Sequence, residues 1–391
     1  MEEGRFMGYI KGEERNQVIL FPETIDEYIG EDNSVRVIDE YVEQLDIKKL
    51  GFMRAVCKDT GRPPYNPRDL LKLYIYGYLN HIRSSRRLEH ETIRNVEVIW
   101  LLKKLHPDFK TIADFRKNNK KSLKAVYRDF NKLCDEWDLF GKELVADVEV
   151  SYNVQTAVDA KFKLIADFKV SKKPNDLGEL ANMAFRVKKL FGGQKFEVLA
   201  DKGYYKALDL KKCVKKGITP YVSKQTYSNG TGDKDFYSDK FKYDKEKNVY
   251  ICPSGKELYY YRIKKAKGKV IGYEYKNYEA CKDCQLKSRC TKSIKGRTIC
   301  RHIDQDFLDT IDLNTELNID KYKLRQMIVE HPFGTVKRNW GAYYFLTKGR
   351  VSVTSEVSLL YLSYNLRRVI NILGTKEIIR RLKKREKPAL V

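Results

Sequence analysis

The sequence predicts an α/β protein, in which a mixed sheet with flanking helices is preceded by an all-helical segment and interrupted by a small β-rich segment with cysteines. Apolar residues recur at helical spacing as far as about residue 140, and short β-type runs then alternate with helical ones. Residues 222–302 are rich in Gly, Lys and Tyr and hold five of the eight cysteines. We therefore divide the chain into four segments: 1–140, 141–221, 222–302 and 303–391.

Charge is the first indication of function. The 391 residues include 77 Lys and Arg against 53 Asp and Glu, which gives a formal net charge of +24. A surplus of this size favours a polyanionic partner, because each phosphate that a protein neutralises releases counterions. The alternative is a basic surface that serves solubility alone.

Neither a targeting signal nor a membrane span is predicted. The first 17 residues are charged and lack a continuous apolar stretch. Apolar runs such as 98–102 are far too short to cross a bilayer. Eight cysteines without a secretion signal are typical of reduced thiols, so we expect a cytoplasmic protein.

The first 140 residues favour a DNA-binding domain. Apolar residues at helical spacing predict helices over 34–45 and 68–79, with Asn33 or Ser34 as a helix cap. Short helices, polar turns and clustered basic residues are typical of helix-turn-helix readers of DNA. A basic helical bundle without groove contacts is the alternative. The candidate DNA contacts are Arg83, Arg86 and Arg87.

Two carboxylates are candidate catalytic residues. Asp201 follows the predicted strand 196–200, and open α/β sheets place their sites at the carboxyl ends of strands. Glu330 precedes Lys337 by seven residues, which returns Lys337 to the same face if the segment is helical. Carboxylates gathered from distant segments of a basic protein suit Mg²⁺-assisted phosphodiester chemistry. The alternatives are a turn residue for Asp201 and a surface ion pair for Glu330 and Lys337.

The cysteines of the 222–302 segment are spaced as in a structural zinc site. The candidate ligands are Cys252, Cys281, Cys284 and Cys290, with Cys300 and His302 as replacements for the fourth position. Four thiolates would hold a tetrahedral Zn²⁺ and stabilise a segment that is too small and polar to fold alone. The alternative is a set of free thiols. The other three cysteines occur singly in helical stretches, where we expect core positions: Cys57, Cys134 and Cys213.

These motifs and their order resemble those of bacterial insertion-sequence transposases of the DDE class. Asp201-Lys-Gly-Tyr-Tyr and Glu330-His-Pro-Phe-Gly-Thr-Val-Lys-Arg are similar to the family's second and third acidic motifs, with the same six residues between the Glu and the Lys. Residues 152–159 are similar to the second strand of the family's core. Three further segments resemble its helical N-terminal domain: 7–13, 61–65 and 110–116. The likeness covers nearly the whole chain.

The resemblance implies an RNase H-like sheet and cleavage and strand transfer at transposon ends. It implies two catalytic Mg²⁺ ions, with Asp201 and Glu330 among their ligands. The implied partner is double-stranded DNA, both the terminal inverted repeats and the target. A homodimer is expected because two ends must be paired. The expected DNA contacts of this domain are Lys337, Arg338 and Arg325.

One departure from the family pattern concerns the glutamate helix. The family carries an Arg four residues before the Glu, but Gln326 occupies that position and Arg325 is one residue off. A shift of one residue rotates a helical side chain by about 100°, so the spacing does not place Arg325 at the site. Pro332 and Gly334 also disfavour a long uninterrupted helix through Glu330.

A second departure concerns the first acid. In the family, the first Asp is separated from the second strand by a polar motif and a helical segment, whereas here Glu143 runs through Asp147 straight into the next strand. An apolar residue expected before the Asp is absent, so strand alternation predicts that Asp147 points to the opposite face. Turn material is limited to Asp147 or residues 151–153. We favour an internal deletion that removed the first Asp over a shortened, intact site that uses Asp147.

Three functions therefore compete. The first is an insertion-sequence transposase, either active or internally deleted and inactive. The second is a catalytically dead, sequence-specific DNA-binding protein, which a deletion would leave if the N-terminal domain still folds. The third is a zinc-bearing nuclease unrelated to transposition, and the order of the motifs argues against it.

Overall fold

The computed structural model describes residues 24–56, 63–141, 143–149, 153–171, 178–191, 196–225 and 228–385. Predictions on Cys57 and on residues 7–13 and 61–62 lie outside these ranges. Within them, no helix is both long and apolar enough to cross a bilayer. The chain forms two compact units, one of Met1–Phe115 with Leu373–Val391 and the other of Arg116–Ile372.

The described part of the first unit is helical. It contains α1 (Ser34–Glu43), α2 (Pro67–Leu79), α3 (Ser85–Arg94), α4 (Val96–Leu101), most of α5 (Phe109–Asn118) and α14 (Thr375–Lys383). The predicted cap at Asn33 is confirmed, because its side chain accepts a hydrogen bond from the Val35 amide at 2.9 Å. Asn66 and Asn95 cap α2 and α4 in the same way.

A buried ion pair joins α1 to α2. The Lys72 side chain is fully buried, and its Nζ lies 2.6 Å from Asp39 Oδ1 and 2.6 Å from Glu43 Oε1. Burial alone lowers the pKa of Lys72, but the two hydrogen-bonded carboxylates outweigh burial and raise it. The pair therefore keeps this lysine charged inside the helical unit.

The second unit is built on a five-stranded mixed sheet. Its strands are β1 (Glu143–Glu149), β2 (Asn153–Asp159), β3 (Ile165–Ser171), β4 (Phe196–Ala200) and β5 (Ile218–Val222), in the order β3-β2-β1-β4-β5. β1, β2 and β3 pair antiparallel, whereas β4 is parallel to β1 and to β5. The helix α7 (Leu180–Phe191) comes directly before β4 in the chain, and α8 (Ala207–Lys215) comes directly before β5. The carboxyl ends of β1, β4 and β5 therefore meet at one edge, and the predicted α/β architecture with a mixed sheet is confirmed.

Four further helices belong to this unit: α6 (Lys120–Glu136), α11 (Gln305–Leu317), α12 (Ile319–Phe333) and α13 (Arg350–Leu373). Tyr127 and Asn131 of α6 donate to the Ile165 carbonyl at 2.8 and 2.9 Å. Asn365 of α13 donates to Asn131 Oδ1 and accepts from the Ile165 amide, both at 2.8 Å. This buried network holds α6 against β3, so the compact units divide at Phe115, whereas the sequence placed a boundary at residue 140.

Between β5 and α11 the chain forms a second sheet. Its strands are β6 (Lys242–Asp244), β7 (Val249–Ile251), β8 (Glu257–Ala266), β9 (Lys269–Lys276) and β10 (Thr298–His302), all antiparallel in the order β10-β9-β8-β7-β6. Two short helices, α9 (Tyr278–Lys282) and α10 (Lys287–Cys290), join β9 to β10. Its buried core is small and consists of Phe241, Tyr250, Leu258, Tyr275 and Ile299. The β-rich segment predicted over 222–302 is therefore present as a sheet.

Short helical turns complete the described elements. They are the 3-10 helices Ile25–Tyr28, Lys202–Tyr204, Lys234–Phe236 and Ser238–Lys240 and the π-helix Gly334–Asn339.

Candidate active site

Asp201 lies at the edge of the mixed sheet where β4 ends. β4 finishes at Ala200, and Asp201 precedes the 3-10 helix Lys202–Tyr204. Its side chain is 42% exposed and makes no hydrogen bond to the turn that follows. The predicted position of this acid at the carboxyl end of a strand is confirmed, and its carboxylate is open to a partner from outside the turn.

That partner is Arg325 of α12. Its Nη2 lies 3.2 Å from Asp201 Oδ1, and its side chain is only 17% exposed. Arg325 therefore lies beside Asp201, although its one-residue offset from the family pattern did not place it there. The physical reason is the packing of α12, which turns Ile328 and Val329 into the apolar core of the sheet. Arg325 lies three and four residues before them, on the same helix face.

Two residues that were not predicted anchor the start of α12. Lys321 pairs with Glu197 and, at 3.1 Å, with Glu143 Oε2. Burial lowers the pKa of Lys321, but the hydrogen bonds to the two carboxylates raise it above its usual value. The Tyr322 hydroxyl donates to the Ala200 carbonyl at 3.2 Å, directly before Asp201. The sequence feature that could have indicated this arrangement is the four-residue spacing of Lys321 and Arg325, which places two cations on one helix face.

The register of β1 defines the position of Asp147. Ala146 pairs with Ala200 across the parallel strands β1 and β4, so Asp147 and Asp201 are each the next residue along. Asp147 also belongs to β1 and pairs with Thr156 of β2. The structure therefore places the backbone of residue 147 level with Asp201, and the predicted orientation of the Asp147 side chain stays a prediction.

Glu330 is not paired with Asp201. It is exposed, and its Oε1 accepts a hydrogen bond from Gln326 Nε2 at 2.8 Å. Five residues separate it from Arg325, which corresponds to about 140° around a helix. Among the residues that the structure describes, no group of three or more His, Cys, Asp or Glu side chains is placed to hold a metal ion.

The helix through Glu330 is continuous, contrary to the prediction from Pro332 and Gly334. α12 contains Pro332 and passes directly into the π-helix Gly334–Asn339. The Gly334 amide donates to the carbonyls of Glu330 and His331, so the backbone hydrogen bonding of α12 continues past Pro332. Lys337 lies in this π-helix with its Nζ 5.8 Å from the centre of the Phe333 ring, and Arg338 beside it is exposed.

His331, adjacent to Glu330, has a packing role. Its Nδ1 lies 2.8 Å from the Tyr364 hydroxyl, which in turn donates to the Lys163 carbonyl. Burial lowers the pKa of His331. The side chain is therefore engaged with α13 and not with the carboxylates.

The predicted DNA-contacting arginines of the helical unit lie at the start of α3. Arg86 and Arg87 are exposed, and Arg83 is partly buried in the preceding turn. The Arg86 guanidinium lies 5.2 Å from the centre of the Phe109 ring. Ser84 occupies the N-cap position of α3 but makes no side-chain hydrogen bond there.

The four predicted zinc ligands converge on one cavity of about 30 Å³ in the second sheet. They come from the end of β7, from α9 and its following turn, and from α10: Cys252, Cys281, Cys284 and Cys290. The Lys256 amide lies 3.4 Å from Cys252 Sγ. As placed, however, these thiols do not form a group that could hold an ion, so the zinc prediction is not supported by the described residues.

The structure also describes the other cysteines of the prediction except Cys57. Cys300 and His302, the suggested replacements, line a different and larger cavity of about 900 Å³. Cys134 and Cys213 are fully buried, which confirms the predicted core positions.

Comparison with protein families identifies the chain. A transposase domain, DUF772, matches residues 23–118, which contain α1 to α5. A transposase DDE domain matches residues 251–370, which contain Arg325, Glu330 and Lys337. Residues 119–250, with Asp201, lie outside both matches, and no curated protein matches the chain. The two domains follow one another in the expected order and together cover more than half of the sequence. The protein therefore belongs to the insertion-sequence transposases of the DDE class.

Proposed function

We propose that the protein binds the ends of its insertion sequence and carries out Mg²⁺-dependent cleavage and strand transfer of double-stranded DNA. The observation that carries this proposal is the backbone register of the parallel strands β1 and β4, which brings residues 147 and 201 to the same level of the sheet. The strand order β3-β2-β1-β4-β5, three antiparallel strands followed by two parallel ones, supports an RNase H-like core.

Asp201, Asp147 and Glu330 are the proposed metal ligands. Carboxylate oxygens are the ligands that Mg²⁺ prefers, and two of these residues share the sheet edge. When bound, Mg²⁺ would activate a water or a 3′-hydroxyl and stabilise the leaving oxygen. In the described structure Arg325 neutralises Asp201 and Gln326 holds Glu330, so both carboxylates must change partners before they bind metal.

Basic residues of both units supply the proposed DNA contacts. Lys337 and Arg338, beside Glu330 in sequence, would bind phosphates near the cleaved bond. Arg325 also has a buried Nε without a hydrogen-bond partner in the described chain, which leaves a donor for a phosphate oxygen. The transposon ends would be recognised by the helical unit, and a homodimer would pair the two ends. The proposed contacts in that unit are Arg83, Arg86 and Arg87.

A DNA-binding protein without catalysis is the second candidate function. Two observations favour it: the cationic partner of Asp201 and the orientation of Glu330 away from that pair. Only residues 150–152 separate β1 from β2, where the family that this chain resembles has a polar motif and a helical segment. An internal deletion that removed the first Asp would produce this connection.

Cleavage of a labelled duplex that carries the element's terminal repeat tests both functions. The assay compares the wild type, Asp201→Ala and Asp147→Ala in Mg²⁺, with Asp320→Ala as the control because that side chain is 96% exposed. A shortened, intact site is supported if Asp201→Ala and Asp147→Ala both lose cleavage while the wild type and Asp320→Ala keep it. Loss only in Asp201→Ala would remove Asp147 from the ligand set. Specific binding by every protein without any cleavage would establish the second function.

We also propose that Cys252, Cys281, Cys284 and Cys290 bind a structural Zn²⁺, which requires the four thiols to move closer together than the structure places them. The support is their convergence on one cavity, where the Lys256 amide is also directed at Cys252 Sγ. Burial raises the pKa of the Cys290 thiol to about 11, and a bound Zn²⁺ would lower it. The ion would stabilise a sheet whose core is small.

A further inference from the structure

The hairpin formed by β8 and β9 (residues 257–276, here called the ribbon) carries aromatic residues that its own fold does not bury. Tyr260 pairs with Tyr275 and Arg262 pairs with Glu274, so Tyr261 is the extra residue of a β-bulge. Tyr260 packs edge-on against Tyr275 of the sheet core, with ring centres 6.2 Å apart. The bulge therefore breaks the alternation at Tyr261 and leaves that ring outside the core.

Tyr259 and Tyr261 of the ribbon are open to solvent, and Tyr260 between them is 48% exposed although its ring packs on Tyr275. Tyr259 and Tyr261 are 52% and 50% exposed. The Lys276 Nζ lies 3.6 Å from the centre of the Tyr261 ring, and the Arg262 guanidinium lies 5.5 Å from it. The Tyr261 ring thus borders two positive charges, whereas the Tyr259 hydroxyl donates to Glu257 Oε2 at 3.1 Å. An exposed ring beside cations is the combination that nucleic-acid bases and phosphates require.

The charge of the ribbon is strongly positive. Residues 257–276 contain six Lys and Arg and two acids. Glu274 lies 2.7 Å from Arg262 and 3.7 Å from Lys264, so one acid is shared by two cations. Three lysines around the turn have no ion pair with an acid in the described chain: Lys265, Lys267 and Lys269.

We propose that the ribbon binds single-stranded DNA, with Tyr259 and Tyr261 stacking on unpaired bases and the turn lysines binding phosphates. Aromatic rings beside a basic track are what sequence-independent single-strand binding uses, because every base has a flat face to stack. A surface that binds only phosphates would need the lysines but not the exposed rings. A surface that binds duplex DNA would gain nothing from the rings, because the bases of a duplex are stacked inside it. The proposal rests on the proposed function only for the source of the strand, since cleavage at an element end releases one.

Fluorescence anisotropy of the full chain with a labelled mixed-sequence oligonucleotide tests the proposal. Tyr259→Ala/Tyr261→Ala should weaken single-strand binding roughly tenfold or more, and Tyr259→Phe/Tyr261→Phe should restore it, because Phe keeps the ring. Tyr278→Ala is the matched control, since Tyr278 is 44% exposed in α9 of the same subdomain. Binding of the terminal-repeat duplex should change less than twofold in all three variants.

The lysines are tested by the salt dependence of the same binding. Replacing Lys265, Lys267 and Lys269 by Gln should reduce the slope of log affinity against log salt by about 2. The exposed residues Lys282, Lys292 and Lys295, replaced in the same way, serve as the control. The proposal is overturned if the wild type does not bind the single strand, or if the Tyr→Ala pair binds it normally. Neither result bears on the proposed function, which the duplex cleavage assay tests independently.

Discussion

Arg325 forms an ion pair with Asp201, with Nη2 of the first 3.2 Å from Oδ1 of the second. The acid that the resemblance assigns to metal binding therefore has a cationic partner within the chain. α12 places the arginine there through Ile328 and Val329, and Tyr322 fixes the same helix to the last carbonyl of β4. Arg325 and a metal ion are thus competitors for one carboxylate.

Removing Arg325 should strengthen Mg²⁺ binding. Arg325→Ala frees the Asp201 carboxylate, and the half-exposed pair should contribute less than about 1 kcal/mol to the free energy of unfolding. We expect Mg²⁺ to raise the melting temperature of Arg325→Ala more than that of the wild type. The double variant Arg325→Ala/Asp201→Ala should lose the response. Equal Mg²⁺ responses of wild type and Arg325→Ala would contradict the competition.

Glu330 should matter for cleavage and not for folding. Its carboxylate is exposed and accepts a hydrogen bond from Gln326, four residues earlier in the same helix. Glu330→Ala should therefore shift the melting temperature by about 1 °C or less. If Glu330 is a metal ligand, the variant should lower the cleavage rate by roughly 100-fold or more. Gln326→Ala removes the same hydrogen bond and should cleave normally. A fully active Glu330→Ala would exclude this residue from the metal site.

Zinc content tests the cysteine cluster. The purified wild type should contain about one Zn²⁺ per chain by elemental analysis, and Cys284→Ser should lose it and melt at a lower temperature. Cys300→Ser is the control, because Cys300 lies in a different cavity. A wild type that is folded and free of zinc, even after addition of Zn²⁺, would show that the four cysteines are free thiols.

Lys124 should give the stability a specific pH dependence. Burial lowers the pKa of Lys124 to about 8, and its Nζ lies 4.8 Å from the centre of the Phe168 ring. Between pH 8 and 10.5 the unfolded chain binds more protons at this group than the folded one, so its contribution to stability rises with pH in that window. Below pH 8 the amine is charged in both states, and the cost of burying it is fully present.

Lys124→Met keeps the apolar stem and removes the charge. We expect a gain of roughly 1 kcal/mol at pH 7 and a flatter stability profile between pH 8 and 10.5, measured by urea unfolding. Lys132→Met, at an exposed position of the same helix, should keep the wild-type profile. An unchanged slope in Lys124→Met would mean that the amine reaches solvent in the folded protein.

Local patterns were sufficient for several features of the fold and the site. The alternation of apolar runs predicted the strand before Asp201, and polar residues at helix starts predicted the Asn33 cap. Isolated cysteines in apolar helical stretches predicted the buried positions of Cys134 and Cys213. Each of these depends on neighbours within a few residues, because periodicity and capping act over one or two turns of helix or strand.

Only the tertiary structure decided which side chains meet. The rotation of α12, which brings Arg325 to Asp201 and turns Glu330 outward, is set by apolar contacts with residues more than 100 positions away. The same holds for Lys321 between Glu143 and Glu197, for α6 on β3 and for the level of Asp147 beside Asp201. Helix rotation and strand register are fixed by the free energy of packing between distant segments, and local sequence spacing leaves both undetermined.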